Sequence, residues 1–184
     1  MRFSQAFLNK LESGHDKPSF MIALYPSEKT IKQLVKLQSQ IEFPAGKEVT
    51  TEKDFHLTLR YFRKKDFKKA DDSWVYKVQE NDPFDKIILV KNKVHIEILG
   101  KDNALVLVLD DSELQSNQKK LDELLQKNGI PPSDYPVFKA HITLGYGLDK
   151  VPKELPKTLN IPIELDKIKL TDESDKVYYT KDLK

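Results

Sequence analysis

The chain contains no cysteine. That rules out disulfide staples and thiolate metal sites, and a reducing compartment is compatible with it. There is no uninterrupted apolar run of the roughly 20 residues needed to span a bilayer, so no membrane partner is expected. Neither sign of charge dominates, since 31 Lys and Arg stand against 29 Asp and Glu for a net +2. A protein that coats long nucleic acid must neutralise many phosphates, and interspersed charges do not supply that field. Long DNA is therefore set aside as a partner, while a small anionic ligand in a locally basic cleft fits. The sequence also offers no His, Asp and Glu cluster at metal-ligand spacing, and neither a metal nor another cofactor is expected.

What remains describes an ordinary globular protein: 184 residues, 39% hydrophobic and 33% charged, enough for one domain or two lobes sharing a core. In residues 1–18 the apolar side chains Phe3, Phe7, Leu8 and Leu11 have helical spacing, which predicts a short amphipathic helix and a linker containing a solvated His15. The continuous apolar stretch and small-residue cleavage site of a signal peptide are missing there, so a soluble, cytoplasmic protein is expected. Residues 19–184 are read as a single bilobal domain.

The first strand runs from Phe20 to Tyr25 and is stopped by Pro26. Ser27 then caps a helix bearing Ile31, Leu34, Val35 and Ile41 on one face, ended by Pro44 and Gly46. A strand at Phe55 to Phe62 follows, then a Lys/Asp-rich segment through Asp72, a solvated loop or short helix. Three short strands are expected at Lys86 to Lys91, Val94 to Leu99 and Ala104 to Leu109. Ser112 is read as the cap of a helix carrying Leu114, Leu121, Leu124 and Leu125, closed by Asn128-Gly129 and two prolines. A strand at Val137 to Gly147, a long loop from Val151 to Pro162 and two final strands near Ile163 to Leu170 and Val177 to Thr180 complete the chain.

Within this pattern lies an internal repeat. His56-Leu-Thr-Leu-Arg-Tyr61 and His141-Ile-Thr-Leu-Gly-Tyr146 agree at five of six positions when Leu and Ile count as alike. Each copy follows an amphipathic helix. A duplicated α+β fold is implied, bilobal, with two antiparallel sheets, a helix on each and a central cleft. Side chains alternate along a strand, which puts His56, Thr58 and Arg60 on one face and Leu57, Leu59 and Tyr61 on the other. In the second copy His141, Thr143 and Gly145 oppose Ile142, Leu144 and Tyr146.

Paired histidines suit phosphodiester cleavage. A neutral imidazole takes the proton of the attacking hydroxyl, and a protonated one gives a proton to the departing oxygen. Each threonine hydroxyl can hold a non-bridging phosphate oxygen. One His-x-Thr in a strand is a common structural accident, and repetition in two matched strands is what gives the motif weight. Arg60 and Lys139 flank the motifs and are candidates to meet phosphate charge, with surface solvation as the alternative for each. His95 has no paired threonine and is read as structural. Trp74, the one tryptophan, is read as anchoring a polar loop onto the core, with a lid over the cleft as the other possibility.

At these residues the chain resembles the 2H phosphoesterase superfamily, which is named for two H-x-[ST]-x motifs. The resemblance implies that His56 and His141 are base and acid, in an order the sequence leaves open, and that Thr58 and Thr143 hold the phosphate. The segment KPSFMIALYPSE, and Glu173 followed six positions later by Tyr179, resemble phage anti-CBASS proteins. That resemblance implies cleavage of a cyclic di- or trinucleotide defence signal by its own ribose 2′-hydroxyl. Tyr25 and Tyr179 would then border the bases, and Glu173 would contact a base edge or water. Core packing is the other reading of Tyr25, and strand alternation puts one of Tyr178 and Tyr179 in the core. An enzyme processing 2′,3′-cyclic phosphate or 2′,5′-linked RNA, and a non-catalytic nucleotide-binding protein, remain the alternatives.

Overall fold

A computed structural model of the chain describes residues 19–62, 73–91, 94–133, 137–156, 158–172 and 176–184. The helix expected in residues 1–18, the polar segment 63–72 and Glu173 lie outside the described residues.

Strand β1, Phe20–Pro26, is apolar on both faces and ends where proline removes the next backbone donor. Ser27 caps helix α1, Glu28–Gln38, by accepting the Thr30 amide, with Glu28 in the first turn and Lys36 in the last. The helix ends at Gln38, ahead of Pro44 and Gly46, and buries Leu34 and Leu37. Strand β2, Leu57–Phe62, follows. Helix α2, Trp74–Asn81, occupies the position expected of a polar loop. Trp74 nevertheless anchors to the core as expected: it is 1% exposed and rests against the rings of Phe20 and Phe62.

Strands β3 (Ile88–Val90), β4 (Val94–Leu99) and β5 (Ala104–Leu109) come next. Helix α3, Ser112–Lys127, is capped by Asp111, one residue earlier than expected, whose carboxylate accepts the Leu114 amide. Strand β6 covers only His141–Gly145, within the longer apolar stretch that suggested it. A two-residue strand β7, Thr158–Leu159, interrupts the expected loop, and β8 (Ile163–Asp172) and β9 (Val177–Asp182) finish the chain.

The repeat predicts two sheets. Among the described residues the strands instead form one nine-stranded sheet, in the order β3-β8-β1-β2-β6-β5-β4-β7 with β9 also on β8. The duplication is still visible in it. Units β1-α1-β2 and β5-α3-β6 are alike, each an antiparallel strand pair around a helix, flanked outside by β8 and by β4. The halves are joined by one paired position, Leu57 opposite Ile142. Both side chains are fully buried in the core on the helix side of the sheet.

Loops reinforce this narrow join. The Gln38 side-chain amide donates to the carbonyls of Thr50, 2.8 Å, and Leu144, 2.6 Å, and Val49 forms an isolated bridge with Gly145. Phe43 lies so close to Gly145 that an added Cβ would meet its Cε1 at 2.5 Å. Trp74→Ala is expected to lower stability by about 3–5 kcal/mol, the usual cost of emptying a buried aromatic site, measured by chemical denaturation. A loss below about 1 kcal/mol would show that the indole does not hold α2 to the sheet.

Candidate active site

The pairing of Leu57 with Ile142 determines what stands beside what. Continued one step to either side of that pair, the antiparallel register brings Thr58 level with His141, and His56, which immediately precedes β2, level with Thr143. Leu57 and Ile142 point into the core, so these four polar side chains share the other face, and all four are half-buried. Thr58 also donates to the Met21 sulfur on that face, 3.5 Å.

The two imidazoles are held in the same way. His56 Nδ1 donates to the carbonyl of Asp54 and His141 Nδ1 to that of Lys139, both at 2.7 Å and both two residues back. A carbonyl can only accept, so Nδ1 carries the hydrogen and Nε2 is left as the atom that takes or gives a proton.

Rows across the sheet define the surroundings. One runs Lys169, Ala23, Thr58, His141, Val108, His95, and the next runs Lys167, Tyr25, His56, Thr143, Val106, Glu97. Ala23, Val106 and Val108 are buried but lie outside the helix-side core, which places them on the face of the quartet. The quartet is thus bordered by small residues, with charged side chains at the two flanks. On the β8 flank, Lys169 sits over the Tyr25 ring at 4.0 Å from its centroid, and that ring is 6.0 Å from the His56 ring. On the β4 flank, Glu97 accepts from Lys139 and pairs with His95 Nε2 at 2.8 Å, while His95 Nδ1 meets Asp110 at 3.2 Å. The hydrogen bond from Lys139 holds the Glu97 carboxyl below its ordinary range, helped by His95 and opposed by burial. His95 is therefore tied into a local ion-pair network, at the edge of the candidate site.

Two expected binding residues lie elsewhere. Strict alternation puts Arg60 with His56, but the β1–β2 register slips at Leu59, opposite the Ile22/Ala23 step. The extra residue turns Leu59 and Arg60 alike to the helix side. Arg60 is 5% exposed, donates to the Pro131 carbonyl and has its Nε 3.9 Å from Asp122 of α3. The second copy carries the matching irregularity near Leu144, opposite Leu105/Val106, so Gly145 too faces the helix side. Tyr179 is also in the core, 7% exposed, with its hydroxyl donating to Asp82 at 2.7 Å. Burial and Asp82 raise its pKa. A slip at Leu170/Thr171 lets its neighbour Tyr178 turn inward as well, edge-on to Phe20 and donating to Asp172. Of the other candidates, Tyr25 adjoins His56, and Lys139 is exposed with its amine committed to Glu97.

Alternation hid one residue. Beyond the Leu59 slip, Tyr61 pairs with Met21 and so joins the face of the quartet, 52% exposed. No signal in the sequence marks the slip, because leucine occupies the extra position in both copies. Among the described residues no group of three or more His, Cys, Asp or Glu could hold a metal ion, and no helix is long and apolar enough to cross a membrane. Arg60→Ala is expected to cost about 1–3 kcal/mol in a denaturation experiment, by removing the buried guanidinium and its hydrogen bond to the Pro131 carbonyl, while leaving nucleotide affinity within about twofold. A large loss of affinity in a folded variant would return Arg60 to the binding site.

Known proteins share this architecture. A crystal structure of a phosphoesterase superposes with TM-score 0.65 at 14% identity, covering 90% of this chain and 94% of that one. E. coli LigT complexed with 3′-AMP gives 0.63 at 13% identity, covering 90% and 94%. TT0787 of Thermus thermophilus gives 0.57 at 16% identity, covering 90% and 97%. At these identities the likeness is one of fold. No curated protein sequence matches the chain. A family model, Anti-CBASS protein Acb1, matches residues 19–176. That span takes in both His-x-Thr strands and bears out the resemblance read from them, and the chain belongs to the anti-CBASS protein Acb1 family.

Proposed function

We propose that this protein is a metal-independent phosphodiesterase that cleaves a cyclic di- or trinucleotide defence signal, with His56 and His141 as general base and acid. The observation that carries the reading is the register at Leu57 and Ile142, which sets each imidazole beside the threonine of the other motif. In a substrate lying across the two strands, the neutral histidine removes the proton of a ribose 2′-hydroxyl through Nε2. The 2′-oxygen bonds to phosphorus and the bond to the departing ribose oxygen breaks. The second histidine, protonated, delivers its Nε2 hydrogen to that oxygen. Thr58 and Thr143 donate to the non-bridging oxygens, holding phosphorus in line and stabilising the charge that builds on them.

Membership of the anti-CBASS protein Acb1 family supports the substrate, and the phosphoesterase fold supports the reaction class. That E. coli LigT, of the same fold, has been seen with 3′-AMP, ATP and NADP+ supports a nucleotide ligand. Tyr25 and Tyr61, both on this face, are our candidates to stack on bases, an interaction that contributes roughly 1–3 kcal/mol per base.

The test is incubation with 3′,3′- and 2′,3′-cyclic dinucleotides, 2′,5′-oligoadenylate and RNA ending in a 2′,3′-cyclic phosphate, read by mass spectrometry. Consumption of a cyclic dinucleotide is expected; consumption of the RNA end alone would assign the enzyme to RNA processing. Binding without turnover of any of these would make it a sequestering protein. Activity should survive EDTA, and loss on chelation with rescue by a divalent ion would overturn the metal-free scheme. His56→Ala and His141→Ala should each lower kcat/KM by roughly 10²–10⁴-fold without loss of fold by circular dichroism. The wild-type pH–rate profile should be bell-shaped, since one group must be unprotonated and the other protonated.

A further inference from the structure

The duplication makes the quartet symmetric but leaves its flanks different. The rows across the sheet make Lys169 on β8 and Glu97 on β4 counterparts: each stands on the quartet's face, two strands out from a motif threonine, Thr58 and Thr143 respectively. Glu97 is fully engaged, with Lys139 and His95 on its oxygens. Lys169 has no carboxylate partner among the described residues. Its neighbour Lys167 is paired with the carboxylate of Asp182, at 3.5 Å.

The ammonium of Lys169 rests instead on an aromatic face, 4.0 Å from the Tyr25 centroid, where the ring quadrupole attracts a cation without neutralising it. Burial, and then Lys167, lower its pKa, the mark of a cation without compensation. Tyr25, Lys167 and Lys169 also line a cleft of about 980 Å³ beside the quartet, whose lining is mixed in charge: Lys53 and the carboxylates of Glu28, Glu52, Glu164 and Asp166 share it. That volume suits a small ligand. A half-buried cation facing such a cleft, one aromatic ring away from a candidate catalytic imidazole, is placed for an anion that the quartet does not itself hold.

We propose that Lys169, seated on Tyr25, binds a non-reacting phosphate of the substrate and so selects nucleotides carrying at least two phosphates. This rests on the phosphodiesterase reading. It adds a direction: among the described residues the ion-paired β4 flank presents no uncompensated cation, and the second phosphate points toward β8. A nucleoside 2′,3′-cyclic monophosphate, whose one phosphate occupies the quartet, cannot reach Lys169 with an anion.

Calorimetric titration of the full chain carrying His141→Ala, with and without Lys169→Met, tests this without turnover. The probes are cyclic di-AMP, cyclic di-GMP and 3′,3′-cyclic GMP-AMP, against adenosine and guanosine 2′,3′-cyclic monophosphates. Lys169→Met is expected to weaken the tightest cyclic dinucleotide about tenfold, the effect of losing one charged hydrogen bond. The cyclic monophosphates should stay within about twofold, and Lys169→Arg should retain most of the dinucleotide affinity. Equal weakening of both classes, no weakening of either, or no dinucleotide binding by the parent would each overturn the proposal. Failure of the cleavage reading shows separately, as absence of turnover by wild-type protein on the same dinucleotides. A selective loss in binding would then still identify Lys169 as a phosphate-recognition residue.

Discussion

The arrangement of the candidate site depends on one contact, the pairing of Leu57 with Ile142 where β2 meets β6. Both side chains are wholly buried, and that burial leaves little freedom in the register. A shift of one residue would turn every side chain of the strand to the opposite face, exposing leucine and burying histidine. The energy that holds the geometry of the candidate site is therefore hydrophobic and comes from the opposite side of the sheet. The polar quartet has little to do with holding itself together, apart from the two backbone carbonyls that accept from the imidazoles.

One paired position is a weak join for two half-sheets, and each half strengthens it with the loop that follows its helix. From the last residue of α1 and the loop after it, Gln38 and Val49 bond to the β6 backbone at Leu144 and Gly145, and Phe43 packs where Gly145 has no Cβ. After α3, the Pro131 carbonyl receives the guanidinium of Arg60 from β2. The two exchanges are related by the same duplication. They also account for the one mismatch between the repeats, Arg60 against Gly145: both residues occupy the helix side and meet the other half's loop, one by donating hydrogen bonds and one by making room for a ring.

Much of this was legible in the residues. The repeat, the helix caps at Ser27 and near Ser112, and the grouping of His56, Thr58, His141 and Thr143 all followed from patterning whose period matched the element. Arg60 and Tyr61 share one cause: alternation assumes an unbroken strand, and both lie next to a register slip. Such slips usually announce themselves by glycine or a polar residue, but Leu59 and Leu144 are apolar and satisfy the alternating pattern they interrupt. Tyr179 is a binding candidate through the resemblance alone, whereas alternation, which puts one of Tyr178 and Tyr179 in the core, agrees with its burial. Trp74 is a different case: Trp74, Val75 and Val78 stand at helical spacing, but over only two turns of an otherwise polar segment, and the aromatic contacts that hold α2 come from β1 and β2, distant in sequence. Two separate sheets were expected because the repeat shows two units and says nothing of how their edges meet.

A duplicated centre creates a difficulty that its flanks resolve. Two histidines with the same hydrogen-bonded tautomer, each beside a threonine from the other strand, present a substrate with two nearly equivalent ways to bind. Acid–base cleavage uses the two imidazoles in opposite protonation states, so a productive complex has a direction. Nothing within the quartet supplies it, because the strand register relates its two halves. The difference enters two strands away, where β8 presents Lys169 on Tyr25 and β4 presents Glu97 already paired to Lys139 and His95. Charge at that distance does not disturb the positions of the four side chains, yet in the proposed binding mode it sets which end of an anionic ligand lies over β8. On that reading duplication supplies the acid–base pair, and divergence of the outer strands gives it an orientation.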